Sequence, residues 1–380
     1  MYQRLVDWMI DVHHRHPRKL LVGLGLMVLP VLALPWLEVD TNYAKFFRGD
    51  STLPMDYAKV QQAGFSQNPL SIQLSINHGK DITTSGIYPK IRLFEKKLES
   101  LLPINGILSA TTLLDGIEKS LPRSDFASEV MKDGRQDRMA AVLKVARDYA
   151  HEDLADFVLP HGRQVQIVAL TNYLSSKELE ALKEKIQNLA ADTFTQGDIT
   201  LSVTGTTVLW ASMDKHVSKT QLQSIIFAFG FMALFLPVIF KSFKLGLLGV
   251  LINFLPVSVA LGVMALSNIK VSIATALIGS IAFGIVVDDT IHFLTRFNVN
   301  RLKGLTVTAS VAETLEVIGR SIVTTTLILV GSFITLSSSS FLPSAHFGIF
   351  VALSVSLALY LDIFILPLVI PRLCREKASL

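Results

Sequence analysis

Long apolar runs occur six times in this chain, and their spacing is uneven. The first covers 20–37; nothing comparable follows until 222–240, after which 245–266, 271–294, 322–336 and 347–370 come in quick succession. About 20 apolar residues in a helix span a hydrocarbon core and ~17 can suffice, so each run is expected to cross a bilayer, the fifth with help from its flanking Ser and Thr. Lipid offers no partner to a bare backbone amide or carbonyl, which leaves the helix as the available conformation. Half of all residues are hydrophobic, 17% are charged and the mean hydropathy is +0.47, values foreign to an ordinary soluble domain. The expectation is a polytopic α-helical membrane protein with six transmembrane helices.

Charge placement orients the spans. Arg4, Arg15, Arg18 and Lys19 precede the first run, and alternate short loops hold Lys241 and Lys244, then Arg296, Arg301, Lys303 and Arg320. Arg372, Arg375 and Lys377 end the chain, whereas the opposite turns hold only Lys270 and His346. By the positive-inside rule both termini are expected in the cytoplasm and 38–219 outside it. That long segment carries 23 acidic and 21 basic residues and is nearly neutral. The net charge of +4 therefore belongs to short loops, and no nucleic-acid partner is expected.

The first run is expected to remain as a span rather than be cleaved as a signal peptide. Its leader contains Asp7 and Asp11, and ALPWLEVD lacks a small-x-small cleavage pattern. Leu5, Trp8, Met9 and Val12 stand at helical spacing, so 1–19 reads as an amphipathic leader along the inner membrane face. His13, His14 and His16 have no Cys or carboxylate framework beside them, and no metal or cofactor is expected. The lone Cys374 excludes a disulfide within one chain.

Inside 38–219 strand and helix patterns alternate. NPLSIQLSI is strand-like, IYPKIRLFEKKLESLL is an amphipathic helix, and INGILSATTLL returns to strand. After a charged middle, 125–156, the order recurs with RQVQIVALTNYL, SSKELEALKEKIQNLAADTF and ITLSVTGTT. Ser175 or Ser176, with Glu178 or Glu180 in the first turn, marks the second helix start. Two strand-helix-strand units imply a ferredoxin-like α+β module. It carries no phosphate loop, nucleophile elbow or zinc helix, so no enzyme is expected.

The fourth run, VSIATALIGSIAFGIVVDDTIHFL, contains two adjacent acids, Asp288 and Asp289, with His292 within helical reach of both. Charge inside a span costs a few kcal/mol, and neighbouring carboxylates in low dielectric resist ionising together. The three form a proton-relay candidate; the alternative for His292 is an interfacial residue capping the span. Thr324 and Thr325 on the fifth run could hydrogen-bond the acids or their own helix backbone. Gly279 and Gly284 suit close helix packing. Asp362, in the last run, is expected to pair with a basic group at the inner face, and Glu313 and Glu316 to lie on a cytoplasmic amphipathic helix.

One span, a large polar domain and five close spans, with VTGTTVLWASMDKHV entering the second and GIVVDDTIHFLTRF ending the fourth, resemble one half of a resistance-nodulation-division (RND) transporter. LGVLINFLPVSVALGVMAL, GRSIVTTTLILVGSF and LALYLDIFILPLVIPR bring the chain nearest to its hydrophobe-exporting MMPL branch. The resemblance implies export of lipids or other hydrophobic molecules from the cell inner membrane by proton antiport. Asp288 and Asp289 would form the relay, Thr324 and Thr325 would be polar companions, and 38–219 would be the extracytoplasmic porter domain. The implied parts are the leader 1–19, the first helix 20–37, the porter-like domain, a five-helix bundle 220–371 and a tail 372–380. Such transporters usually carry two tandem six-span halves. This chain resembles the C-terminal one, which implies a second six-span half or a homo-oligomer as partner. SecD and SecF, accessory subunits of protein translocation, share the outline, but their fourth span continues in a pattern like FERIRE where this chain has HFLTRFNVNR. A non-transporting, sterol-sensing-like scaffold is the third possibility.

Overall fold

The computed structural model describes residues 12, 15–49, 51–62, 68–77, 80, 82, 87–113, 157–158, 163–195 and 197–374. The expectations for Leu5, Trp8 and Met9, for 125–156 and for Arg375 and Lys377 lie outside these. Two compact units are distinguished: Asn42–Lys45 with Gly49–Met213, and Met1–Thr41 with Phe46–Arg48 and Asp214–Leu380.

The first of these is the α+β unit. Helix α2 (Thr52–Gln62) precedes strand β1 (Asn68–Ile76), helix α3 (Ile87–Glu99) and strand β2 (Ile104–Ser109), followed by β3 (Gln164–Thr171), α4 (Ser176–Thr193) and β4 (Ile199–Thr204). The strands form one sheet in the order β2-β3-β1-β4, with all three pairings antiparallel. This is the ferredoxin-like arrangement that the repeated pattern implied. Alternate residues of β1 (Leu70, Ile72, Leu74, Ile76) and β3 (Val165, Ile167, Ala169) point into one core, where Ile91, Phe94 and Leu98 of α3 and Leu179, Leu182 and Ile186 of α4 meet them. Each Val, Leu, Ile or Phe side chain among them contributes about 1.5–3 kcal/mol by leaving water. Phe94, fully buried with its ring 5.4 Å from that of Phe194, would cost about 3–5 kcal/mol to truncate to Ala. Ser175 caps α4: its hydroxyl accepts from the Glu178 amide, and the Glu178 carboxylate accepts from the Ser175 amide.

The other unit holds six helices long and apolar enough to cross a membrane. The first span is α1 (Pro17–Val28), which tightens into a 3-10 helix over Leu29–Trp36, where Pro30 and Pro35 remove two backbone donors. Spans two to five are α5 (Thr206–Ile239), α6 (Phe243–Leu266), α7 (Ile273–Leu302) and α8 (Val307–Thr335); the sixth joins α9 (Leu342–Tyr360), a π-helical turn (Leu361–Ile365) and α10 (Leu366–Leu373). The third and sixth are central, with 61% of their apolar windows buried against 11–17% in the first, second and fifth. Every expected span is present, but the fifth begins far earlier than its apolar run. Thr306 caps α8, so Glu313 and Glu316 sit on the span helix itself. The helix expected around Glu313 and Glu316 is continuous with the span, because Gly319 alone between the two segments costs only about 1 kcal/mol and does not break a helix.

Two close approaches hold the bundle. A Cβ on Gly262 of α6 would overlap the carbonyl of Pro30, and one on Gly348 of α9 would overlap that of Phe333. At the start of α7, Val39 and Val271 form a parallel bridge, and Lys270 Nζ lies 3.0 Å from Asp40 Oδ2 and 3.3 Å from Glu38 Oε2. The hydrogen bond to Asp40 holds the Lys270 ammonium above its usual range. The end of the first span is thus tied to the beginning of the fourth. Val12, from the leader, packs on the same bundle's core.

Candidate functional site

Helix α7 starts with a capping box in which the Ser272 and Thr275 side chains accept from each other's backbone amides. From there it runs unbroken through the acidic pair to Leu302. Successive residues turn by about 100°, so Asp288, Asp289 and Thr290 step around the helix from outside to inside. Asp288 is exposed, Asp289 is intermediate and Thr290 is fully buried. Asp288 Oδ1 lies 3.3 Å from His292 Nε2, with 72% and 66% of the two side chains exposed. Helix α7 continues past His292 to Leu302.

The outward stripe of α7 has helical spacing: Leu277, Ile281, Gly284, Asp288, His292, Thr295, Val299 and Leu302 are all exposed. Gly279 behaves as expected for close packing, since a Cβ there would meet Ile225 of α5. Gly284 does not. A Cβ at Gly284 would meet nothing within 4 Å, because this glycine lies on the uncovered stripe.

Thr324 and Thr325 turn their hydroxyls to their own helix, Thr324 to the Arg320 carbonyl at 2.9 Å and Thr325 to those of Ser321 and Ile322 at 3.0 Å. Their neighbour Thr326 is buried, and its hydroxyl has no partner among the described residues.

A polar group that sequence reasoning missed lies on the inner side of the same helix. Thr290 Oγ1 is 2.7 Å from Asp362 Oδ1 and 3.2 Å from Asn253 Oδ1, and Asn253 Nδ2 donates to the Gly249 carbonyl at 2.7 Å. All three residues are fully buried. Asp362 was expected to meet a basic group at the inner face; its partner is instead Thr290. The available signal was a polar residue inside each of three apolar runs, namely Asn253, Thr290 and Asp362. Asp289 directly precedes Thr290, whose hydroxyl bonds Asp362. Among the described residues no three His, Cys, Asp or Glu side chains converge as metal ligands would.

The arrangement offers an acid-imidazole pair on the uncovered flank of a membrane helix and a carboxyl group sealed behind it. Groups of this kind can take up and release protons. A family model described as the MMPL family matches residues 122–377. A membrane protein of Methanocaldococcus jannaschii is 25% identical over 363 residues, covering 92% of this chain and 89% of that one.

Proposed function

The chain belongs to the MMPL family, and on that premise we propose that it uses the proton-motive force to export lipids or other hydrophobic molecules from the inner, cytoplasmic membrane. Family membership supports an RND-type membrane transporter of hydrophobic substances and a transport role rather than a catalytic one. The observation that carries the proton-driven reading is the Asp288–His292 pair at 3.3 Å on the outward stripe of the fourth span. Charge inside a membrane span costs a few kcal/mol. A pair kept there needs water, protons or a second protein surface, and a site that alternates between charged and neutral states is what proton coupling requires. Asp288 and Asp289 are the relay acids and His292 their partner, with Thr324 and Thr325 on the fifth span as polar companions.

The same stripe supports a second six-span unit, either another half or another copy of this chain, seated on α7. Gly284 permits close approach there, and the acid pair is removed from lipid by the contact. The porter-like segment 38–219 lies outside the cytoplasm and both termini inside, as the distribution of Arg and Lys supports. Its sheet unit handles the substrate. No observation favours the translocation-subunit or scaffold readings.

Reconstitution tests this. Proteoliposomes loaded with fluorescent lipid analogues are expected to transport them when a pH gradient is imposed, and to acidify or alkalinise internally in step. Substrate movement indifferent to the gradient would overturn the proposal.

A further inference from the structure

The sealed carboxyl on the sixth span is not needed by a relay confined to Asp288 and Asp289. Asp362 sits in the π-helical turn Leu361–Ile365. Pro367 follows, with no amide to return to the Ile363 carbonyl, and a widened turn there relieves that loss. Asp362 is fully buried, Oδ1 accepts from Thr290, and Oδ2 is enclosed with no hydrogen-bond partner. On α7 the titratable group next to Thr290 in the chain is Asp289. From α6 it meets the neutral Asn253 through Thr290. On the α8 side, Gly319 packs on the neighbouring Ile363, and Leu315 and Ile322 belong to the same apolar cluster as Leu361 and Ile363. From the first span comes Leu20, whose carbonyl accepts from Tyr360, the other titratable side chain of this helix segment. None of these is a cation.

Thr290 has one hydroxyl proton and two acceptors within reach. Asn253 cannot turn its amide to help, because its Nδ2 is committed to the Gly249 carbonyl. With Asp362 ionised, the Thr290 proton goes to Asp362, Asn253 Oδ1 has no donor and a negative charge is left in the bundle with one hydrogen bond. Such a charge is strongly unfavourable without a partner. With a proton on Asp362, Oδ1–H donates to Thr290 Oγ1, and Thr290 swings its own proton to Asn253 Oδ1. Both hydroxyls and Asn253 Oδ1 are then satisfied, and the enclosed Oδ2 is a neutral carbonyl oxygen rather than part of a bare carboxylate. The oxygen atoms sit at hydrogen-bond distances from one another, which is proton geometry rather than a cage for a metal ion.

We propose that Asp362 is an interior proton-holding site, and that Thr290 and Asn253 form the hydrogen-bond switch that reports its protonation to the third and fourth spans. Its exchange of protons with Asp288 and Asp289 rests on the transport reading above; its own protonation does not. On uptake, one proton arrives at Oδ1 from the acidic pair, the Thr290-to-Asp362 hydrogen bond reverses, and the Thr290-to-Asn253 bond forms. On release the steps run backwards. No covalent bond other than O–H changes.

Infrared difference spectroscopy of the purified full chain in lipid nanodiscs, stepped from acid to alkaline pH, reads this directly. The parent is expected to show a protonated-carboxyl C=O band that Asp362→Asn removes and that Thr290→Val, which keeps the shape but not the hydroxyl, shifts in frequency. Monodispersity on gel filtration controls for folding, and if Asp362→Asn does not fold, the Thr290→Val shift decides alone. A band identical in parent and variants overturns the proposal, as does a carboxyl response that follows added sodium and ignores pH. Transport assays on Asp288→Asn and Asp289→Asn separate the two readings: full transport there removes the relay while the Asp362 band stands or falls by itself.

Discussion

Asp288 Oδ1 and His292 Nε2 approach to 3.3 Å on a flank of the fourth span that the described chain leaves uncovered. Asn is nearly isosteric with Asp and carries no charge, so Asp288→Asn and Asp289→Asn should express and melt like the parent or slightly above it. Transport under an imposed pH gradient is expected to fall at least tenfold in each, about 1.4 kcal/mol of barrier. Near-parental transport in the double variant would make the acids structural.

Crosslinking addresses the uncovered stripe. Gly284→Cys in a Cys374→Ser background places one thiol where a second six-span unit is expected to sit. In native membranes, oxidation should trap a species of twice the chain mass, or of the chain plus a partner half. A protein that stays monomeric and transports fully would refute the pairing.

Single cysteines at Ser128 and Ser379, again without Cys374, test orientation. Membrane-impermeant maleimide applied to intact spheroplasts should label the first and spare the second. Protection of the Ser128 position would reverse the assigned topology.

Close packing of the first and third spans rests on Gly262. Gly262→Ala forces a methyl group into the Pro30 carbonyl, and overpacking of this kind costs about 1–3 kcal/mol. Gly331→Ala, with nothing within 4 Å of the added carbon, is expected to leave the melting temperature unchanged or raise it. Equal melting temperatures for the two variants would show that the bundle yields at Gly262.

Asp198 is held below the usual carboxylate range, chiefly by a hydrogen bond from Lys80 and further by the charges of Lys80 and Lys90. A carboxylate depressed in the folded state stabilises it above its ordinary value of 3.8, and that contribution disappears as pH falls through the lower folded value. Thermal unfolding of the full chain, followed by a probe in the α+β unit, should therefore be less acid-sensitive below that value in Asp198→Asn. An unchanged pH profile would show that the lysines do not act on this group.

The elements of the α+β unit were legible because their signals are local. Period-two burial in NPLSIQLSI and RQVQIVALT, and the Ser175–Glu178 cap, are properties of a few consecutive residues that any hydrophobic core would exploit. Length and apolar content likewise revealed six spans, since a bilayer imposes its thickness on any chain. The start of the fifth span was not legible from hydropathy. The cap at Thr306 begins a helix whose first turns mix polar residues with the buried Val307, Val311 and Leu315, and hydropathy registers only the continuous apolar run that follows.

What the linear order determined, then, is what a short segment can decide for itself: which runs are helices, which are strands, and that Asp288, Asp289 and His292 share helical reach. Tertiary structure decided which face of each helix meets protein. It sent the side chains of Thr324 and Thr325 back to their own backbone, left Gly284 uncovered, and joined Thr290 to Asp362 and Asn253 across 72 and 37 residues of chain. Those contacts depend on how three helices rotate and close on one another at points such as Gly262, where a backbone carbonyl fills the space of a missing methyl group. Helix rotation is set by the sum of many packing contacts, and no local pattern around Asp362 carries that sum.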